Sequence, residues 1–186
     1  MSGFTKSLRG QLLLDGGELG GSWFQRTVVL VCQHDAEGAF GLVLNRPAGP
    51  VVGDALAGDL PDSLKSLPLF VGGPVQPGAL SYLQGENFLP EASVLPNVHL
   101  GHSLEDLVEL AGGFAMDRQL KVFAGYAGWS PGQLDTEIER ASWITYPATP
   151  ELIFDSDPRT LWNRVLRLKG GLFRLLADAP EDLDAN

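Results

Sequence analysis

Cys32 and His34 are the first residues in the chain whose types could do chemistry together. They place a thiol and an imidazole two positions apart, on a segment that reads as a strand and so would carry both on one face. Nucleophilic catalysis needs more than that pair: an acid to orient the imidazole and amide donors for an oxyanion, neither of which is marked nearby. An inert core cysteine is the reading the residues favour. His99 and His102 would share a face if their connector were helical. No third ligand follows at a zinc-site spacing, so a polar surface or loop role is expected, with no metal and no cofactor.

The glycine-rich stretches come next. Gly72-Gly73-Pro74 follows an apolar run and could offer amides to an anion, yet it has neither the spacing nor the lysine of a phosphate loop. Gly125, Gly128 and Gly132 follow a second apolar run without the glycine spacing of a dinucleotide fingerprint. They read as a sharp strand-to-helix connection around Tyr126 and Trp129, two aromatics that either fill the core or rim a cavity. Asp135 and Glu139 stand together on the helix that follows, apart from Glu137, and read as solvated carboxylates. Arg159, Arg164, Arg167, Lys169 and Arg174 form the dense basic region, and the first four are the candidate nucleic-acid contacts. No zinc-finger or RNA-recognition signature accompanies them.

These residues need elements to position them. Thr27 to His34 is the clearest strand, and Phe40 to Leu44 returns as its hairpin partner after Gly38, with Pro47 ending the run. Leu67 to Val71 and Lys121 to Ala124 read as further core strands; weaker strand patterns lie near Leu12, near Leu80 and from Trp143 to Tyr146. Ser103 is spaced to cap a helix with Asp106, and Leu104, Leu107, Val108 and Ala111 line its apolar face. Ser130, with Pro131 and Gln133 behind it, reads as the cap of a Leu134 to Arg140 helix. Asp157 with Pro158 reads as the start of a helix to Lys169, stopped by Gly170-Gly171. Short strands with helices between them favour a mixed sheet covered by helices.

The whole chain is 186 residues with 44% apolar side chains, 23 glycines and 13 prolines, which suits one globular domain and disfavours disorder or a coiled coil. We expect a single domain over 1–177 and a flexible acidic tail over 178–186. A net charge of -10 opposes nonspecific attachment to nucleic acid or anionic membrane. The charge is uneven, because Val51 to Arg118 holds nine acidic side chains against Lys65 and Arg118. One cysteine excludes an internal disulfide, and the Leu12-Leu13-Leu14 run is too short for a signal-peptide core or a membrane span, so a cytoplasmic protein is expected.

Four blocks, Thr27 to His34, Gly38 to Pro47, Gly72-Gly73-Pro74-Val75 and Gly125-Tyr126-Ala127-Gly128-Trp129-Ser130-Pro131-Gly132-Gln133-Leu134, closely resemble the YqgE/AlgH family, UPF0301. Trp143, Pro150 to Phe154 and Trp162 continue the likeness across almost the whole chain. Gly17 and Gly21 depart from it, at positions where the family pattern has proline and aspartate. The resemblance implies a bacterial cytosolic protein with an α+β fold, a curved mixed β-sheet with packed helices; a three-layer α/β sandwich is the alternative. It also carries a transcriptional-regulator label and no catalytic residue. The expected function is therefore a noncatalytic binding or regulatory protein acting through a protein or small-molecule partner, with direct nucleic-acid binding disfavoured. Asn45, Arg46, Gly72, Gly73, Tyr126, Trp129 and Gln133 are its candidate ligand or partner site. The alternative is a small-molecule enzyme using the Cys32 and His34 region.

Overall fold

The computed structural model describes residues 6–17, 19, 21–113 and 119–180. In chain order these form β1 (Gln11–Asp15), β2 (Val28–Asp35), β3 (Gly38–Val43), β4 (Pro47–Val51), α1 (Val52–Ala55), α2 (Asp62–Lys65), β5 (Pro68–Val71), β6 (Val75–Gly85), β7 (Val98–Gly101), α3 (Leu104–Gly112), β8 (Gln119–Trp129), α4 (Gln133–Glu139), β9 (Trp143–Pro147), α5 (Pro150–Phe154), α6 (Leu161–Lys169) and α7 (Phe173–Ala177). The strands join in one sheet, ordered β4-β5-β8-β3-β2-β1-β9, with β6 also on β8 and β7 beyond β6. Every pairing is antiparallel except β5 with β8. The fold is α+β, an open, curved mixed sheet with packed helices, and not the mostly parallel three-layer alternative.

Both faces of the sheet are covered, which is why Val28 to Cys32 is a continuous apolar run without alternation. Leu12, Leu14, Val28, Leu30 and Leu42 pack on one face against Leu152 and Ile153 of α5 and Trp162, Val165 and Leu166 of α6. Leu13, Val29, Val31 and Val43 pack on the other with Trp129, Trp143 and Leu134 of α4. A third cluster joins Leu69, Tyr82 and Val122 to Val52, Leu64 and Leu107 of α1, α2 and α3.

β8 holds the halves of the sheet together. Residues 119–126 pair with β6, 122–124 with β5, and 127–129 with β3. The glycine at 125 has φ +74°, a conformation other residues rarely adopt, and the pairing with β6 shifts register beside it. The expectation of a strand ending at Ala124 is thus corrected: it continues through Gly128 to Trp129, because Ala127 and Trp129 have a second apolar cluster to fill.

The helix starts divide. Ser103 caps α3 as expected, its side chain accepting from the Asp106 amide at 3.2 Å. Ser130 does not cap α4: Gly132, at φ 72°, is the N-cap and makes no side-chain cap bond. The turn closes instead through the Ser130 backbone, whose carbonyl accepts from the Gln133 amide and whose N–H donates to Gln133 Oε1, both at 3.0 Å. α6 begins at Leu161 with Thr160 as N-cap, while Asp157 caps only the preceding turn by accepting from the Arg159 amide. His99 lies within β7 and His102 just beyond it, so the two share no helical face. Of the tail, residues 181–186 lie outside the described residues. No helix among the described residues is long and apolar enough to cross a membrane.

Candidate functional site

A bulge in β2 separates the thiol from the imidazole. Val31 pairs with Gly41 and Gln33 with Phe40, leaving Cys32 as the extra residue. Alternation restarts after it, so Cys32 joins the cluster of Leu30 while His34 emerges on the opposite face beside Ala39. There His34 Nδ1 accepts from the Leu8 amide at 3.0 Å, and Nε2 faces Asp135 of α4 at 3.4 Å. Cys32 is completely buried, and burial pushes its thiol pKa up. The expected sharing of one face is corrected, and with it the enzyme alternative loses its nucleophile–base pair.

The seven residues expected at a ligand site are split by the sheet. Asn45 Oδ1 accepts from the Val28 amide at 2.8 Å and its Nδ2 donates to the Arg26 carbonyl at 2.9 Å, tying the end of the hairpin to the start of β2. Arg46 lies 4.2 Å above the ring of Trp23, and burial lowers its pKa. From Trp23 a ladder of aromatic edges runs through Phe24 and Trp143 to Trp129, with centroids 5.0, 5.6 and 6.3 Å apart. Both indole N–H groups at its end donate to Glu137 Oε2, at 2.9 Å from Trp129 and 2.8 Å from Trp143, and Gln133 donates to Oε1 at 3.0 Å. Arg46 and the Trp129–Gln133 pair therefore mark two ends of one ladder. Tyr126, three residues before Trp129, faces the other way and stacks on Phe40 at 4.9 Å. Gly72 and Gly73 lie where β8 passes closest; a Cβ would come 2.3 Å from the Gly125 carbonyl oxygen at the first and 2.0 Å from the Tyr126 carbonyl carbon at the second.

The four candidate nucleic-acid contacts lie in or beside α6. Arg159 pairs with Asp157 at 2.8 Å and Arg167 with Asp178 at 2.5 Å. Arg164 donates to the Ser156 hydroxyl and Lys169 to the Thr145 carbonyl, each at 2.8 Å. Among the described residues, no group of three or more His, Cys, Asp or Glu side chains is placed to hold a metal ion.

Open space is found elsewhere. Gln84 of β6 and His99 of β7 are cross-strand partners, and they line two adjoining clefts of about 520 and 400 Å³. The first is acidic and polar, with Tyr82, Asp106 and Glu109. The second is mainly apolar, with Phe88, Leu89, Pro90 and Ala92 beside the carboxylate of Glu91. Burial and then the Asp106 charge raise the pKa of Tyr82 above its ordinary value, further from neutral pH. Together the clefts suit a molecule with a cationic or hydrogen-bonding head and an apolar body. Sequence reasoning missed this site because it joins residues 82–92 to 99–113 through β7, a four-residue strand. The one legible signal was the turn-rich segment around Asn87, Pro90, Pro96 and Asn97.

A family model described as AlgH-like, DUF179, matches residues 12–174. A UPF0301 protein of Chlorobium luteolum is 39% identical over 182 residues, covering 96% of this chain and 94% of that protein. Another from Chlamydia abortus is 33% identical over 180 residues, covering 96% and 95%. The solution structure of the AlgH protein from Pseudomonas aeruginosa superposes with a TM-score of 0.72 at 28% identity, covering 97% of this chain and 99% of that one. A crystal structure of protein DIP2367 from Corynebacterium diphtheriae, at 22% identity, TM-score 0.74 and 94% coverage of each chain, shares the fold.

Proposed function

Since the chain belongs to the AlgH-like family, UPF0301, we propose that it is a noncatalytic binding or regulatory protein whose small ligand docks in the two clefts that meet at Gln84 and His99. The observation that carries this reading is their juxtaposition: carboxylates of α3 at one end, an apolar wall at the other, and two hydrogen-bonding side chains between them. The residues with the strongest intrinsic chemistry support it from the other side, because Cys32 is sealed in the core and Glu137 is held by two indoles. Arg159 and Arg167 spend their charge on Asp157 and Asp178, which supports a small-molecule or protein partner over nucleic acid.

The test is retention of metabolites from a bacterial extract under native conditions, followed by thermal-shift titration of whatever is retained. A retained compound should raise the melting temperature of the parent protein and of a surface control, and fail to do so with Gln84→Ala/His99→Ala. Failure to retain any compound reproducibly, or a shift equal in the parent and the double variant, counts against the clefts as the site.

A further inference from the structure

The junction of α6 and α7 is built unlike the rest of the surface. Three of the seven large apolar side chains exposed among the described residues fall within it: Leu168 at 52%, Leu172 at 81% and Leu175 at 71%. Leu172 and Leu175 are joined by the first turn of α7, where the Leu175 amide donates to the Leu172 carbonyl at 3.1 Å, so they share a face. Leu168 borders a cleft of about 560 Å³ whose other walls include Asn163, Arg164 and Arg167. Single exposed leucines are ordinary, whereas three so close together in the chain, one of them beside a cleft, suit a contact surface.

Its charge is also out of keeping with the molecule. Residues 159–177 contain five basic side chains and no acidic one, in a chain of net charge -10. Arg159 and Arg167 are neutralised locally, but no acidic side chain among the described residues pairs with Arg164, Lys169 or Arg174. We infer that the α6–α7 junction docks an acidic, leucine-bearing helical segment of a partner protein, apolar side chains on Leu168, Leu172 and Leu175 and carboxylates toward Arg164, Lys169 and Arg174. Nucleic acid suits the charge but not three exposed leucines, since its bases stack on planar side chains. An anionic membrane suits both, but the five-residue α7 offers too short an apolar face and the remaining charge is repelled. The inference rests on the binding reading above and adds a second, protein-facing surface to it.

The probe is a fluorescein-labelled 14-residue peptide with leucines on one helical face and glutamates on the other, followed by anisotropy. Its control carries lysine for every glutamate. The glutamate peptide should bind the full chain and weaken as salt rises, the lysine peptide should not bind, and Leu172→Ser/Arg174→Glu should lower affinity about tenfold or more. Both substituted residues are exposed, so the variant should keep the parent's melting temperature. Absent binding of the glutamate peptide, or binding indifferent to the double variant, overturns the inference. So does variant-sensitive binding of duplex DNA or phosphatidylserine vesicles in place of the peptide, or self-association abolished by the same substitutions. In native extract, proteins retained equally by parent and variant would overturn this surface while leaving the binding reading intact; retention of neither proteins nor metabolites would sink both.

Discussion

Glu137 is a carboxylate whose work is structural, and its removal should be expensive. Two indole N–H donors converge on one of its oxygens and the Gln133 side-chain Nε2 donates to the other. Glu137→Ala leaves Trp129 and Trp143, both buried, without their acceptor, and should lower the unfolding free energy by about 2–4 kcal/mol. Urea denaturation followed by tryptophan fluorescence reads this directly, and an unchanged midpoint would show the clasp to be incidental. Lys121 makes a different prediction. Its ammonium lies 4.2 Å from the Phe70 ring and donates to the Ile153 carbonyl at 3.1 Å, in a site whose burial lowers its pKa from 10.5 to about 8. Between pH 8 and 10.5 the unfolded chain holds a proton that the folded chain has released, so stability rises with pH across that window. Below pH 8 the folded protein carries the buried charge at a cost of about 3 kcal/mol. Relative to Lys121→Met, the parent should therefore gain stability from pH 8 to 10; a difference flat in pH would refute the shift.

At the scale of elements, the turn into α4 separates backbone from side-chain effects. Gly132 holds a left-handed φ with open space around it, so Gly132→Ala should cost about 1–2 kcal/mol through conformation alone. Ser130 acts through its backbone, and Ser130→Ala should lie within about 0.5 kcal/mol of the parent. Equal costs at the two positions in chemical denaturation would restore a side-chain cap at Ser130. This turn also shows how far the sequence could be read. The spacing of Ser103 and Asp106 was enough to locate α3, because a cap is a local interaction. Ser130-Pro131-Gly132-Gln133 offered a local pattern equally good, and the cap nevertheless falls on Gly132 rather than on Ser130. The apolar runs of β2, β3 and β5 were legible from composition, whereas β4 and β7 and the helices α1 and α2 are four or five residues long and owe their form to neighbours. The separation of Cys32 from His34 was beyond reach for a sharper reason: one unpaired residue reverses every face after it, and no residue type announces a bulge.

For the whole molecule, the acidic balance sets a limit on partners. A chain of net charge -10 should show no measurable binding to mixed duplex DNA near 0.15 M salt in fluorescence titration, and tight, salt-sensitive binding there would reverse the assignment of α6 to protein contact. The shared strand β8 bears on how the chain is made. β3 ends at Val43, and its partner stretch at 127–129 is synthesised more than eighty residues later. At roughly 5–20 residues per second, the edges of β6, β5 and β3 wait on the ribosome for the strand that will bind them all, from about two seconds for β6 to about seventeen for β3. Once β6 is made, three strand edges lack their shared partner together, and chaperone binding is expected over that interval. Ribosomes stalled before Gln119 has emerged should hold chains that are chaperone-bound and readily proteolysed, and those stalled well after Pro147 should hold resistant ones. Equal protease sensitivity at the two stalling points would mean that the earlier strands find stable partners without β8.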